Sequence, residues 1–257
     1  MPAGGARRES GASKTRLDEL AGAGDRARGF RVSHRRVMKI PIARDGYRFI
    51  APSLLLTLIL MWLYPPAAAV TGVLAVFLIC FFRDFERATP RIEGAVFASG
   101  DGVVDDIEEV ETAEFPGGRA MKVGVFLSIF NCHVTRSPAS GRVAKIVYQP
   151  GKFHNAMSRE IASKHNESNS ILLDTEGLPI LVKQIAGAVA RRIVCTARIG
   201  QRLGAGERLG LIRLGSRVEV YVPLGSEIRT KKGAKVRAGQ SLLAILRRQP
   251  AGESNDR

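Results

Sequence analysis

Two uncharged apolar segments constrain the fold of this chain more than any other feature. They cover residues 49–64 and 67–82, and the pair Pro65-Pro66 separates them. Each would form a helix of roughly 24 Å, against roughly 30 Å of hydrocarbon in a bilayer. Because proline breaks helices, we predict a helical hairpin that spans a membrane twice or dips into one leaflet. Both arrangements leave its two ends on the same side. A hairpin buried in a soluble core is the alternative, but the segments are apolar on all sides.

Positive charge is concentrated ahead of this hairpin. Between Arg7 and Arg48 the sequence has 12 Lys/Arg against 5 Asp/Glu, within a formal charge of +15 for the 257 residues. Nucleic acid is not the predicted partner, because aromatic content is 6% and no binding motif occurs. The excess fits anionic membrane lipid better. The positive-inside rule predicts an inner-membrane protein with the following domain in the cytoplasm. The flanking residues are Arg44, Arg48, Arg83, Arg87 and Arg91.

From about residue 91 onward, short alternating runs are broken by glycine, proline and aspartate. This pattern is typical of a β sandwich or barrel. We predict a basic, disordered arm over residues 1–45, the membrane hairpin over 46–85, a β domain over 86–248 and a disordered tail over 249–257. The predicted strands are residues 95–99, 102–107, 120–130, 142–148, 170–174, 180–186, 191–197, 209–214, 217–222 and 241–246.

An internal repeat lies near the end of the β domain. Residues 200–212 and 233–245 share the frame G-x-basic-apolar-x-A-G-x-x-L-x-x-I. Two such units resemble the half-repeats of biotinyl- and lipoyl-carrier domains, which hold a modified lysine between them. Here Gly215-Ser216 lies between the repeats, which disfavours a lysine carrier. The predicted fold is therefore mainly β, a barrel-sandwich-like domain built on carrier-type hairpin repeats and preceded by the apolar helical hairpin.

Several blocks of sequence resemble the phosphatidylserine decarboxylases of the short bacterial and archaeal type, in order and in spacing. The resemblance spans residues 49–246. Ile129 and Leu214 depart from the family pattern, where proline and phenylalanine are usual. Arg136 stands where longer members have a second histidine, which is assigned to self-cleavage. The blocks are F-L-S at 126–128 with N-C-H-V-T-R-S-P at 131–138, G-K-F at 151–153, Q-I-A-G at 184–187 with A-R-R-I-V at 190–194, and G-L-I-R-L-G-S-R at 210–217 with Y-V-P at 221–223.

The resemblance implies a pyruvoyl enzyme that is made as a proenzyme. The Ser216 hydroxyl would attack the Gly215 carbonyl, and β-elimination would split the chain into residues 1–215 and 216–257. Residue 216 would become a pyruvoyl group, which forms a Schiff base with phosphatidylserine and yields phosphatidylethanolamine. No metal is expected, since the histidines and cysteines show no ligand spacing.

The same resemblance assigns roles to further residues. His133 is the candidate acid/base that delivers a proton to the substrate, and Asp101 would orient that base and stabilise its charge. Arg136, Lys152 and Arg217 are candidates for binding the phosphate and carboxylate of the headgroup. Without the surrounding block, the sequence favours His133 as a structural strand histidine, and Asp101 fits a turn residue as well as a catalytic one.

Other functions are compatible with parts of the pattern. Gly215-Ser216 is by itself a common turn dipeptide. The main alternative is a non-catalytic, biotinyl/lipoyl-like membrane adaptor, whose chain would stay intact. The decarboxylase interpretation instead predicts a heterodimer of two cleaved chains, attached to anionic lipid, and is compatible with a higher homo-oligomer.

Overall fold

The structure is a computed structural model. It describes residues 42–151, 163, 165–187, 192–213 and 216–247. The predicted C-terminal tail and nearly all of the predicted N-terminal arm lie outside these residues. Lys152 and Gly215 also lie outside them.

The apolar segments form a helical hairpin. Helix α1 is Tyr47–Leu63, preceded by a 3-10 turn at Arg44–Gly46, and helix α2 is Pro65–Phe81. The break is at Tyr64, whose φ of −154° is not helical, and Pro65 opens α2, where a missing N–H costs little. Within α1 the Ser53 and Thr57 hydroxyls donate to backbone carbonyls one turn earlier, at 2.8 Å each. These two hydroxyls are therefore satisfied within the helix.

The two ends of the hairpin are tied together. The Ala43 amide donates to the Phe82 carbonyl at 2.7 Å, and Ile42 forms an antiparallel bridge with Arg83. Gly46 permits this contact, because a Cβ there would lie 2.6 Å from the Phe82 Cβ. Both ends consequently emerge at one place, as the sequence predicts.

Away from this base, the hairpin exposes its large apolar side chains. Trp62 is 91% exposed, Leu63 75% and Val73 72%. The helical segment Arg44–Leu63 has 20 residues, and an 18-residue window within it has a mean hydropathy of 1.6, so it is long and apolar enough to cross a membrane by length and composition. The Pro65–Phe81 helix is apolar but shorter.

The rest of the described chain is β structure, so the fold is mainly β, as predicted. Each of the ten predicted strands overlaps an observed one, and the four that were missed are two or three residues long. The strands are β1 Ala95–Phe97, β2 Gly102–Glu111, β3 Arg119–Leu127, β4 Val134–Arg136, β5 Gly141–Gln149, β6 Ser168–Thr175, β7 Leu178–Ala186, β8 Ile193–Cys195, β9 Arg202–Leu203, β10 Arg208–Ile212, β11 Ser216–Val222, β12 Glu227–Ile228, β13 Lys235–Val236 and β14 Leu242–Ile245.

The strands form three antiparallel sheets. A curled eight-stranded sheet has the order β13-β2-β3-β11-β7-β6-β5-β9. Two three-stranded sheets have the orders β4-β10-β8 and β1-β14-β12. Because β10 and β11 belong to different sheets, the short connection between them crosses from one sheet to the other.

The internal repeat appears as two matched units, β9 with β10 and β13 with β14. Each unit opens on a glycine with positive φ, 84° at Gly200 and 86° at Gly233. Each also turns on a second one, 79° at Gly206 and 71° at Gly239. A Cβ at Gly239 would lie 3.0 Å from the Gly206 Cα, so the two turns are in contact. The sequence repeat is thus a structural repeat.

Strand β11 lies in the middle of the large sheet, between β3 and β7. Its residues alternate between two buried faces. Val218, Val220 and Val222 join the hydrophobic core, while Arg217 and Glu219 lie on the opposite face. All seven residues of the strand are buried. The strand that begins at Ser216 is therefore held on both edges and on both faces.

Candidate active site

Ser216 is the first residue of β11, and its surroundings are unusual for a serine. It pairs with Leu127 of β3 and Ala186 of β7 and has no exposed surface. Its hydroxyl is buried and has no hydrogen-bond partner within the described residues. A buried hydroxyl without a partner costs about 1–3 kcal/mol, so such a group calls for a reason.

The chain contains a second Gly-Ser step that provides a comparison. At Gly225-Ser226 the serine hydroxyl donates to the Pro223 carbonyl at 2.7 Å and closes an ordinary turn. The Ser226 hydroxyl therefore has a structural role, because it stabilises the turn. Ser216 has no such role in the described structure.

His133 lies close to the same end of the sheet. It follows β3 after a turn in which Asn131 donates its amide to the Ser128 carbonyl, at 2.9 Å. The amide of Ile212, at the end of β10, donates to the His133 carbonyl at 3.1 Å. The histidine is fully buried, and its ring lies 4.5 Å from that of Phe81 in α2. His133 is thus fixed between the hairpin and the strand that leads to Ser216.

The hydrogen bond of the His133 ring assigns its tautomer. Nδ1 lies 2.9 Å from the carbonyl oxygen of Asn131. Because a carbonyl only accepts, Nδ1 carries the proton and Nε2 is left as the acceptor. Burial lowers the pKa of His133 to about 4, and the Arg83 charge acts in the same direction. The imidazole is therefore neutral at neutral pH and can accept a proton at Nε2.

Asp101 occupies a tight turn next to β11. A Cβ at the preceding Gly100 would lie 3.1 Å from Leu127 and 3.4 Å from Val218, the neighbours of Ser216 across and along the sheet. The Asp101 carboxylate accepts two bonds from Arg87, one of them at 2.7 Å, and a third from the Ala238 amide at 2.8 Å.

The Asp101 charge also raises the pKa of His133, although less than burial lowers it. The structure thus places a fixed negative charge within electrostatic reach of the histidine. Sequence reasoning missed Arg87, which holds this carboxylate in place.

The candidates for binding the headgroup do not share one environment. Arg136 binds the protein itself, with donations to the Asp84 carboxylate at 2.6 Å, the Phe85 carbonyl at 2.8 Å and the Gly206 carbonyl at 3.0 Å. It fixes the segment after the hairpin to the first repeat. Lys152 lies outside the described residues.

Arg217 lies on the face of β11 opposite to Ser216. Its guanidinium is fully buried and binds three carboxylates, Asp105, Asp106 at 3.5 Å and Glu219 at 2.7 Å. Burial lowers its pKa, but Glu219 and Asp105 outweigh this and raise it overall. A Cβ at Gly124 would overlap Arg217 Nη2 and lie 2.8 Å from Cζ, so only glycine leaves room for this group. Arg217 anchors the strand that begins at Ser216.

The base of the hairpin covers this end of the β domain. Phe81 and Phe82 pack in one apolar cluster with Cys132, Val134 and Leu211, which flank His133 in space. Water is excluded from the histidine by the same contact that joins the hairpin to the β domain. No group of three or more His, Cys, Asp or Glu suited to a metal occurs in the described part of the chain.

A protein-family model described as phosphatidylserine decarboxylase matches this chain. It covers residues 74–244, more than half of the chain. The matched range begins inside α2 and includes Asp101, His133 and Ser216.

The packing of Gly124 against Arg217 predicts a stability effect. Gly124→Ala would force the guanidinium away from its carboxylates and leave buried charges unpaired, which costs about 3 kcal/mol or more. Gly204→Ala is the matched control, since its Cβ would meet only Glu207 Oε2 at 3.9 Å. The free energy of unfolding, measured by circular dichroism in detergent micelles, should fall strongly for Gly124→Ala and change little for Gly204→Ala. Equal losses would mean that Arg217 is not held as described.

The low pKa of His133 predicts a dependence of stability on pH. The unfolded histidine takes up a proton near pH 6.5, whereas the folded one does so only near pH 4. The contribution of His133 to the free energy of unfolding is therefore fully present above pH 6.5, and it is lost as the pH falls from 6.5 to 4. From pH 7 to 5 the loss is about 2 kcal/mol. His133→Gln should remove this part of the pH dependence, and His165→Gln, at an exposed histidine, should keep it. An unchanged slope in His133→Gln would contradict the assignment.

Proposed function

The chain belongs to the phosphatidylserine decarboxylase family, and on that basis we propose that it matures by cutting itself between Gly215 and Ser216. The family makes it an enzyme that decarboxylates phosphatidylserine, which gives phosphatidylethanolamine. The self-cleavage, the pyruvoyl group that replaces Ser216 and the roles of single residues are our proposal.

The observation that carries the proposal is the buried hydroxyl of Ser216, which has no hydrogen-bond partner among the residues that the structure describes. It contrasts with Ser226, whose hydroxyl closes a turn. A hydroxyl that is buried without a hydrogen bond has no competing interaction to give up before it reacts. The two flanking strands and the Arg217 cluster fix the backbone around it. The residues present fit a reactive group at position 216.

The proposed cleavage is an acyl shift from nitrogen to oxygen followed by β-elimination. The Ser216 oxygen attacks the Gly215 carbonyl carbon, an ester C–O bond forms, the peptide C–N bond breaks, and the hydroxyl proton passes to the amine that is released at residue 216. Loss of the Cα proton of residue 216 then expels the Gly215 carboxylate and leaves a dehydroalanine at the new chain end. Water converts this end to a ketone, and ammonia is released.

In the mature enzyme, the ketone at position 216 supplies an electron sink for the electron pair that remains when CO2 departs. His133 is the proton carrier, because burial keeps its ring neutral at neutral pH and the Asn131 carbonyl holds its Nδ1–H. Asp101 favours the protonated form that arises during transfer, and Arg87 keeps that carboxylate in place. Phe81 keeps water from the ring.

We place the enzyme at the inner membrane with the β domain on the cytoplasmic side. The exposed apolar surface of the hairpin supports the attachment, and the arginines at both of its ends support the orientation. Since the two ends meet beside His133, the reacting centre would lie next to the headgroup layer. The cleaved chains would stay together, because β11 remains paired with β3 and β7.

Ser216→Ala tests the cleavage and the activity together. The wild type should run as two chains on denaturing electrophoresis and convert phosphatidylserine to phosphatidylethanolamine. Ser216→Ala should stay as one chain of 27.8 kDa without activity. Ser226→Ala, at the other Gly-Ser step, should be cut and active. Cleavage of Ser216→Ala, or an uncut wild type, would refute the proposal.

Trp62 is a natural probe of the membrane attachment, since it is the only tryptophan in the chain and lies at the tip of the hairpin. On addition of anionic vesicles, its fluorescence should shift to shorter wavelength and become quenched by lipids brominated in the acyl chain. Aqueous iodide should then quench it poorly. An emission spectrum that does not respond to vesicles would rule out insertion of the hairpin tip.

A further inference from the structure

We propose that Arg213, together with Arg48 and Arg192, binds the phosphate of the lipid headgroup, an inference that rests on the proposed function. We call these three residues the arginine cluster. None of the headgroup candidates predicted from the sequence belongs to it.

The first argument is position. Arg213 directly follows Ile212, whose amide binds the His133 carbonyl, and precedes Ser216 by three residues. Three residues of chain span at most about 11 Å between Cα atoms. A serine phospholipid whose amine reacts at residue 216 would carry its phosphate a few bonds away, within reach of a long arginine side chain.

The second argument is convergence of positive charge. The guanidinium carbons of Arg213 and Arg48 lie 5.0 Å and 5.6 Å from the centre of the same ring, Phe49. The Arg213 amide donates to the Arg192 carbonyl at 3.3 Å. Burial, then the charges of Arg48 and Arg192, lower the pKa of Arg213. The cluster is therefore held together against its own repulsion.

The third argument is that two side-chain nitrogens of Arg213 lack a hydrogen-bond partner among the described residues. Its Nε and Nη2 are buried and make no hydrogen bond within the described residues. Arg87, Arg136 and Arg217 instead each bind a carboxylate. The nearby Asp45 is bonded to Arg48 at 3.0 Å and lies 3.6 Å from Arg208, so it only partly offsets the cluster.

These features fit a phosphate diester better than a bilayer surface. A guanidinium offers parallel donors that match two phosphate oxygens. Buried nitrogens cannot bind the surface of a membrane from outside, but they can bind a headgroup that has entered the site. Phe49, in the first turns of α1, places the cluster at the base of the hairpin, where a headgroup would pass.

Kinetics of Arg213→Gln test the proposal, with phosphatidylserine presented in micelles of a neutral detergent. Loss of a charged hydrogen bond should raise KM about tenfold to a hundredfold, with kcat within about twofold of the wild type. Arg213→Lys should recover part of the loss. Arg229→Gln removes the same charge at a half-exposed site paired with Glu227, and its KM should not change. A KM for Arg213→Gln within twofold of the wild type would overturn the proposal.

Product inhibition distinguishes phosphate from carboxylate recognition. Phosphatidylethanolamine keeps the phosphate and lacks the carboxylate, so its inhibition constant should rise by the same factor as KM. An unchanged constant would assign Arg213 to the carboxylate and overturn the proposal. So would a loss of binding to phosphatidylglycerol vesicles without a change in micellar KM, since that result would describe a membrane contact.

Electrophoresis of each variant separates this proposal from the proposed function. If Arg213→Gln is not cut, Arg48→Gln takes its place and should raise KM in the same way, and an unchanged KM overturns the proposal. A wild type that is uncut and inactive would refute the proposed function itself. An active, cleaved wild type with a normal KM in the variants would refute only the phosphate site.

Discussion

The buried ion cluster of Arg217 is the interaction on which the rest of the site depends. It holds β11 from the face opposite to Ser216, through carboxylates on β11 itself and at Asp105 and Asp106 of β2. A buried cluster of this kind contributes little net stability, but removal of one partner is costly. It therefore fixes position more than it adds stability. This would suit the proposed cleavage. A cut before Ser216 would remove the covalent restraint on β11, and the hydrogen bonds to β3 and β7 and the Arg217 cluster would then hold the strand in place.

The hairpin does more than provide an apolar surface. Its base packs on the residues that flank His133, and the Phe81 ring lies 4.5 Å from the imidazole. The low pKa of His133 results mainly from burial, and α2 contributes to that burial. In the proposed function, a membrane anchor that also covers His133 would couple membrane attachment to catalysis. The environment of the histidine then depends on the seating of the hairpin on the β domain, and the helices are as much a part of the site as the strands.

Much of this arrangement could be predicted from local sequence, and the failures have physical reasons. Apolar runs, Pro65 and the repeat glycines act over a few residues, so the hairpin, ten strands and the repeat were predicted. Because successive side chains of a strand point to opposite faces, the sequence also predicts that Arg217 points away from Ser216. The sequence motif, in which the two residues are adjacent, does not indicate this. The partners of Arg136 and the fit of Gly124 against Arg217 depend on register and on contacts such as Asp84, 52 positions away. Such pairs are created by the tertiary fold.

In a chain with 39 Lys/Arg, the contacts of each arginine distinguish structural charges from candidate functional ones. Net charge alone says only that the protein is attracted to anionic surfaces. Once the structure pairs Arg87, Arg136 and Arg217 with carboxylates, their charges are accounted for within the fold. Arg213 is different, because it is partly buried, is repelled by its neighbours and has nitrogens without a partner in the described structure. A partly buried cation without a carboxylate partner among the described residues costs stability. In the proposed phosphate site, the anion that arrives with the substrate would offset that cost.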